Sequence, residues 1–219
     1  MEQQRATSKT YDATVNHRVI TFADPVPDGR QILSSAGFDP ADEHVLIERL
    51  RHGTRSIGLD ETVDLRQDGR EAFAAFRSDR IFRFTLDGRG YEWGAPTITE
   101  AELRDIAGLG KDEVLILELA DEKDRELAPR DQITLSAEGT ERLHTAKRLV
   151  TVYIDGTPKK IARGVYTTEQ LIAVLGVQPG YLLNVVNEEG QLVTLQPGQH
   201  LRVREGMKFF SQVPCGGSS

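Results

Sequence analysis

Apolar and polar residues alternate in three well-separated stretches of the chain: YDATVNHRVITF from Tyr11, IFRFTLDGRGYEW from Ile81 and LVTVYIDGTPKKI from Leu149. Period-two alternation puts one face of an extended strand in a core and the other in solvent. Each stretch is broken once, at Asn16-His17, Asp87-Gly88 and Asp155-Gly156. Such pairs tolerate positive φ, so each stretch predicts two strands joined by a tight hairpin.

The pattern then changes to helical spacing. In DGRQILSSAGF the apolar positions are Ile32, Leu33 and Ala36; in ITEAELRDIAGLG they are Leu103, Ile106 and Ala107; in YTTEQLIAVLGV they are Leu171, Ile172 and Leu175. Gly37, Gly108 and Gly176 follow as helix-ending residues, 71 and 68 residues apart. Thr99 and Glu102 have the spacing of a capping box. Beyond each helix lies an apolar run, HVLIERL (44–50), EVLILEL (113–119) and YLLNVVN (181–187), and then a final segment with a turn glycine, Gly69, Gly139 or Gly206. Leu65, Leu135 and Val203 precede those turns.

The chain is therefore a threefold repeat of β-β-α-β-β units, with room for one further short strand in each. The fold class is α+β, with each unit a mixed sheet carrying one packed helix. The expected divisions are a flexible N-terminus over 1–10, domains over 11–77, 79–146 and 148–213, and a flexible tail over 214–219. The seams near Arg77-Ser78 and Ala146-Lys147 leave almost no linker, which predicts a stiff string of beads.

Composition narrows the function. With 27 Lys and Arg against 34 Asp and Glu, the net charge of −7 argues against general nucleic-acid binding, which needs concentrated positive charge. The basic groups Lys147-Arg148 and Lys159-Lys160 with Arg163 read as solvated faces. No window approaches the apolar length that spans a bilayer, and the N-terminus has no signal-like apolar core. The expectation is a soluble, cytoplasmic protein with no membrane partner. The single cysteine, Cys215, excludes an internal disulfide and a cysteine-based zinc site. His17, His44, His52, His144 and His200 are scattered without ligand spacing, and the acidic runs Asp112-Glu113 and Asp121-Glu122-Lys123-Asp124 read as surface. With no phosphate-binding glycine loop either, the chain offers no catalytic, metal or cofactor site.

The unit order, its three tandem copies and the Gly216-Gly217 pair after the last extended segment together resemble the ubiquitin-like β-grasp family, and more specifically the bacterial multi-ubiquitin-domain proteins. The resemblance runs from about residue 11 to residue 217. It implies a protein modifier joined to targets through Gly217 by an isopeptide bond. It also implies partners: an E1-like activating enzyme that uses ATP and Mg, an E2-like conjugating enzyme, and a JAB-type metallopeptidase that removes Ser218-Ser219. A role in defence against phages is a further implication of the family's gene neighbours.

Two glycines suit that chemistry on physical grounds, because a tail without β-carbons can thread a narrow channel to reactive groups. The nucleophile would belong to the enzymes. The first two repeats lack Gly-Gly and run on as FAAFRSD and LHTAKRLV, so a diglycine peptidase should leave the three domains joined. Cys215, beside the diglycine, is open to a part in tail recognition or redox chemistry but has no positioned base. Of Phe209 and Phe210, at least one should enter the core; an exposed Phe210 would help to dock the activating enzyme. Trp93 is expected in sheet packing, with a partner anchor as the alternative. The rival functions are a non-covalent tandem scaffold or adaptor and a sulfur carrier using a thiocarboxylate on the same tail.

Overall fold

A computed structural model of the protein describes residues 9–67 and 71–213; Gly69 and the tail from Pro214 onward lie outside these. The first repeat contains β1 (Tyr11–Val15), β2 (Arg18–Phe22), α1 (Gly29–Ser35), β3 (His44–Leu50), β4 (Gly53–Ile57) and β5 (Ala72–Arg77). The second contains β6 (Phe82–Leu86), β7 (Arg89–Trp93), β8 (Thr97–Thr99), α2 (Glu100–Ile106), β9 (Glu113–Leu117), β10 (Arg125–Glu126), β11 (Gln132–Thr134) and β12 (Arg142–Lys147). The third contains β13 (Leu149–Ile154), β14 (Thr157–Ala162), β15 (Gly164–Thr167), α3 (Thr168–Leu175), β16 (Leu182–Val186), β17 (Leu192–Thr194), β18 (His200–Val203) and β19 (Lys208–Gln212).

Each repeat has the same mixed sheet, in the orders β2-β1-β5-β3-β4, β7-β6-β12-β9-β10 and β14-β13-β19-β16-β17. This is the β-grasp arrangement, with an outermost strand next to β3, β9 or β16; the second and third repeats each add not only that one further strand but also a separate short pair, β8-β11 and β15-β18. The first and last strands of every repeat are parallel neighbours at the centre of the sheet.

Local chemistry accounts for the elements. The hairpin residues Asn16, His17, Asp87, Gly88, Asp155 and Gly156 all have positive φ, the backbone that a two-residue turn between twisted strands requires. All three helices start in a complete capping box: Asp28 with Gln31, Thr99 with Glu102, and Thr167 with Gln170. Each box satisfies two otherwise orphaned N–H groups. The helices are only seven or eight residues long, too short to persist alone, and depend on the face they bury. That face is Ile32 and Leu33 in α1, Leu103 and Ile106 in α2, and Leu171 and Leu175 in α3, packed over separate cores that include Phe73, Leu143 and Phe209. Trp93 lies in the second core, where its ring N–H donates to the Thr97 carbonyl at 3.2 Å.

The string of beads is not what the first two repeats form. Together they make one compact unit, and the third repeat, with Lys111–Val114, makes another. Within the first unit, edge strand β4 lies against edge strand β7. The Thr54 hydroxyl donates to the Glu92 carbonyl at 2.5 Å and accepts from the Glu92 amide at 2.9 Å. The Glu92 carboxylate accepts from the amide and hydroxyl of Ser56, both at 2.7 Å, and from Arg83. Arg49 pairs with Asp105 at 2.8 Å.

Register puts Ile47 and Ala74 on the sheet face away from α1. Both are buried but belong to no helix-side cluster. From the same face Phe76 reaches Trp93 edge-on, with centroids 4.7 Å apart, and packs into the second core. Gly94 lies so close that a β-carbon there would collide with the Phe76 ring. The local hydrophobic pattern does not reveal this seam, because its partners are 38 residues apart.

Two outcomes test the seam. Gly94→Ala should destabilise the chain by about 1–3 kcal/mol by driving a methyl into Phe76, measured by chemical denaturation. The Glu92 carboxyl is raised by burial, but its hydrogen bonds from Ser56 and Arg83 outweigh that and hold it below the ordinary glutamate range. Its contribution is therefore complete above that range and is lost as pH falls through the depressed value. Thermal melts of wild type and Glu92→Gln should converge on acidification; a pH-independent difference would refute the assignment.

Candidate functional site

The candidate site is the end of the third repeat, where β19 leads into the Pro214–Ser219 tail. Register assigns its residues to two faces. Phe209 aligns with Ile154 and Val185 and is fully buried under α3. Phe210 points the other way and is 38% exposed, so the pair divides between core and surface. Cys215, Gly216, Gly217 and Ser218 lie outside the described residues.

Two anchors hold the strand that carries the tail. Asp155, in the β13–β14 turn, accepts the Ser211 amide at 2.9 Å and the Ser211 hydroxyl at 2.6 Å. The other repeats do the same with their own turns: Asp87 takes the amide and hydroxyl of Thr145, and Asn16 exchanges two bonds with the Ala75 backbone. The turn residue is therefore selected twice, for positive φ and for a short polar side chain that reaches back to the last strand.

The second anchor is Asn184, which interrupts the apolar run of β16 and is 2% exposed. It accepts from the Thr194 hydroxyl at 2.6 Å and donates to the Gln212 side chain at 3.2 Å. A buried amide persists only when its bonds are made; here they tie β16 to β17 and to the end of β19. Neither Asp155 nor Asn184 was evident as a tail anchor in the sequence. The signal was present in Asp155 as a polar turn residue recurring at the same place in each repeat, and in Asn184 as a polar residue amid LLNVV.

Around Asn184 the outward face of the third sheet carries Tyr153, Leu182, Leu192 and Phe210, all more than a third exposed, with Val213 exposed just beyond. By register, Ile47 and Ala74 of the first repeat correspond to Asn184 and Phe210 of the third. That face is sealed in the first repeat and open in the third.

His17 lies in a hairpin turn, His44 near the Pro40 carbonyl and the Phe38 ring, and His144 against Glu118. Among the described residues no group of three or more His, Cys, Asp or Glu is placed to hold a metal ion. No described helix is long and apolar enough to cross a membrane. The arrangement presents an anchored strand and an open apolar sheet face, which suit recognition by another protein.

A family model described as Multiubiquitin matches residues 11–78 and 82–148, the spans of the first and second sheets. The third repeat has the same strand order, turn clamp and capped helix. No curated protein matches the chain.

Replacing Asp155 with Ala removes both acceptors for Ser211 and should cost about 1–3 kcal/mol. Hydrogen exchange read by NMR should show the Ser211 amide losing protection while the Thr145 amide, clamped by Asp87, keeps its own.

Proposed function

Because the chain belongs to the multiubiquitin family, we propose that it is a ubiquitin-like modifier attached to targets through Gly217. Family membership is the observation that carries the reading. The anchored exit of β19 supports it, because a fixed stem delivers the following residues to an enzyme in a defined direction.

In this reading the Gly217–Ser218 amide is first hydrolysed by a JAB-type metallopeptidase, releasing Ser218-Ser219 and leaving a carboxylate on Gly217. The E1-like partner, with ATP and Mg, joins that carboxylate to AMP with release of pyrophosphate. A cysteine thiolate of the partner displaces AMP to form a thioester. The acyl group then passes through an E2-like enzyme to a target amine, whose attack expels the thiolate. The chain itself supplies a slender tail, since Gly216 and Gly217 present no side chains to the channel, and a docking face in which Phe210 is the exposed aromatic nearest the exit. Cys215 sits within that recognised tail.

The described chain runs from Arg77 through the short 78–81 connection into β6, and from Lys147 through Arg148 into β13. A peptidase specific for diglycine thus leaves all three domains on one tail. A receptor for them gains the effective concentration that linked modules provide. The open face of the third sheet favours one alternative, a non-covalent scaffold that gathers partners without conjugation.

Intact-protein mass spectrometry separates the two. Coexpressed with E1-like, E2-like and JAB-type partners, the chain should lose the mass of two serines and appear in amide-linked species. Gly217→Ala should abolish those species. An unchanged full-length mass in the presence of every conjugation component would favour the scaffold.

A further inference from the structure

Three five-stranded sheets have six outer edges, and each edge is a row of backbone groups able to pair with another chain. Two of them, β4 and β7, cover each other in the seam between the first and second repeats. Two are blunted. β10 is two residues long and charged, Arg125-Glu126, and β14 carries Pro158, Lys159 and Lys160. Short length, charge and proline are the usual devices against edge pairing.

The last two carry neither proline nor lysine, although β17 is only three residues long. β17 reads Leu-Val-Thr with no charge, and Leu192 and Val193 are 56% and 40% exposed. Beside it, Val185, Val193 and Met207 line an open groove of about 620 Å³ together with the charged Glu188, Arg204 and Glu205. β2 reads Arg-Val-Ile-Thr-Phe, with a charge only at its first residue and Val19 66% exposed at its centre.

The two open edges are complementary by position. In the common strand order β17 occupies the place of β4, and β2 the place of β7. They are the same two kinds of edge that already meet inside the chain. Where the internal seam uses Thr54 and Glu92, register puts Leu192 and Thr21 at the corresponding positions. The polar lock is replaced by a more apolar pairing.

We propose that the protein associates head to tail with a second copy of itself, β17 of one copy lying along β2 of the next. Such a contact is heterologous: each copy keeps one free edge of each kind, and growth continues unless the rotation closes a ring. This goes beyond conjugation and does not depend on it.

Sedimentation velocity of the full-length chain tests the proposal. The weight-average mass should rise with concentration to at least about twice that of the monomer. Leu192→Lys and Val19→Lys each replace a solvent-exposed side chain and should each give monomer with unchanged circular dichroism. Mixed, they should recover a one-to-one dimer and nothing larger, because one variant retains an intact β17 and the other an intact β2. A wild-type chain that stays monomeric to its solubility limit overturns the proposal. So do oligomers that survive either substitution, or a mixture of folded variants that forms no dimer.

Discussion

In every repeat the chain begins and ends side by side, and the fold depends on a parallel junction only two residue pairs long. Parallel strands cannot be joined by a tight turn; the intervening chain has to form a helix and further strands before it returns. The return is secured by the first hairpin. The turn amides of Asn16, Asp87 and Asp155 donate to Phe73, Leu143 and Phe209, while their side chains hold Ala75, Thr145 and Ser211. Once the last strand is fixed at the centre, the third strand has an edge to pair with, and the helix has a face to cover.

Much of this was legible in the sequence because it is local. The polar hairpin pairs, the helical apolar triplets and the glycines after them recur at nearly constant spacing, so the repeat and its α+β class followed from periodicity and turn chemistry. The division between Phe209 and Phe210 followed only from register, since two adjacent phenylalanines carry no internal sign of which faces the helix. The outermost strands were faint, β10 having too few residues to show a period. The seam was invisible for a different reason: Glu92 alternates like any exposed strand residue, and only the approach of Thr54 and Ser56 gives it partners. The role of Asn184 within an apolar run was not legible either, because its partners, Thr194 and Gln212, come from two other strands.

Equivalent positions thus have unequal fates in one chain. The outward sheet face of the first repeat is spent on holding the second, and Phe76 crosses over to serve a neighbour's core. The same face in the third repeat remains on the surface beside the strand that leads to the diglycine. Three copies of one fold therefore do not offer three copies of one surface, and a partner that reads that face meets it differently in the first and third repeats.

The parallel placement of first and last strands also sets how the molecule bears mechanical load. The third repeat is entered through β13 and left through β19, whose overlapping ends run in the same direction. Traction applied beyond β19, resisted by the preceding repeats, pulls these strands past one another rather than peeling them apart. Their cross-links, including Asp155 to Ser211, are then strained together in shear and must fail as a group. An unfolding motor that pulls on the chain from beyond β19 would meet its greatest resistance at the first pull on this domain, before any of its sheet had opened.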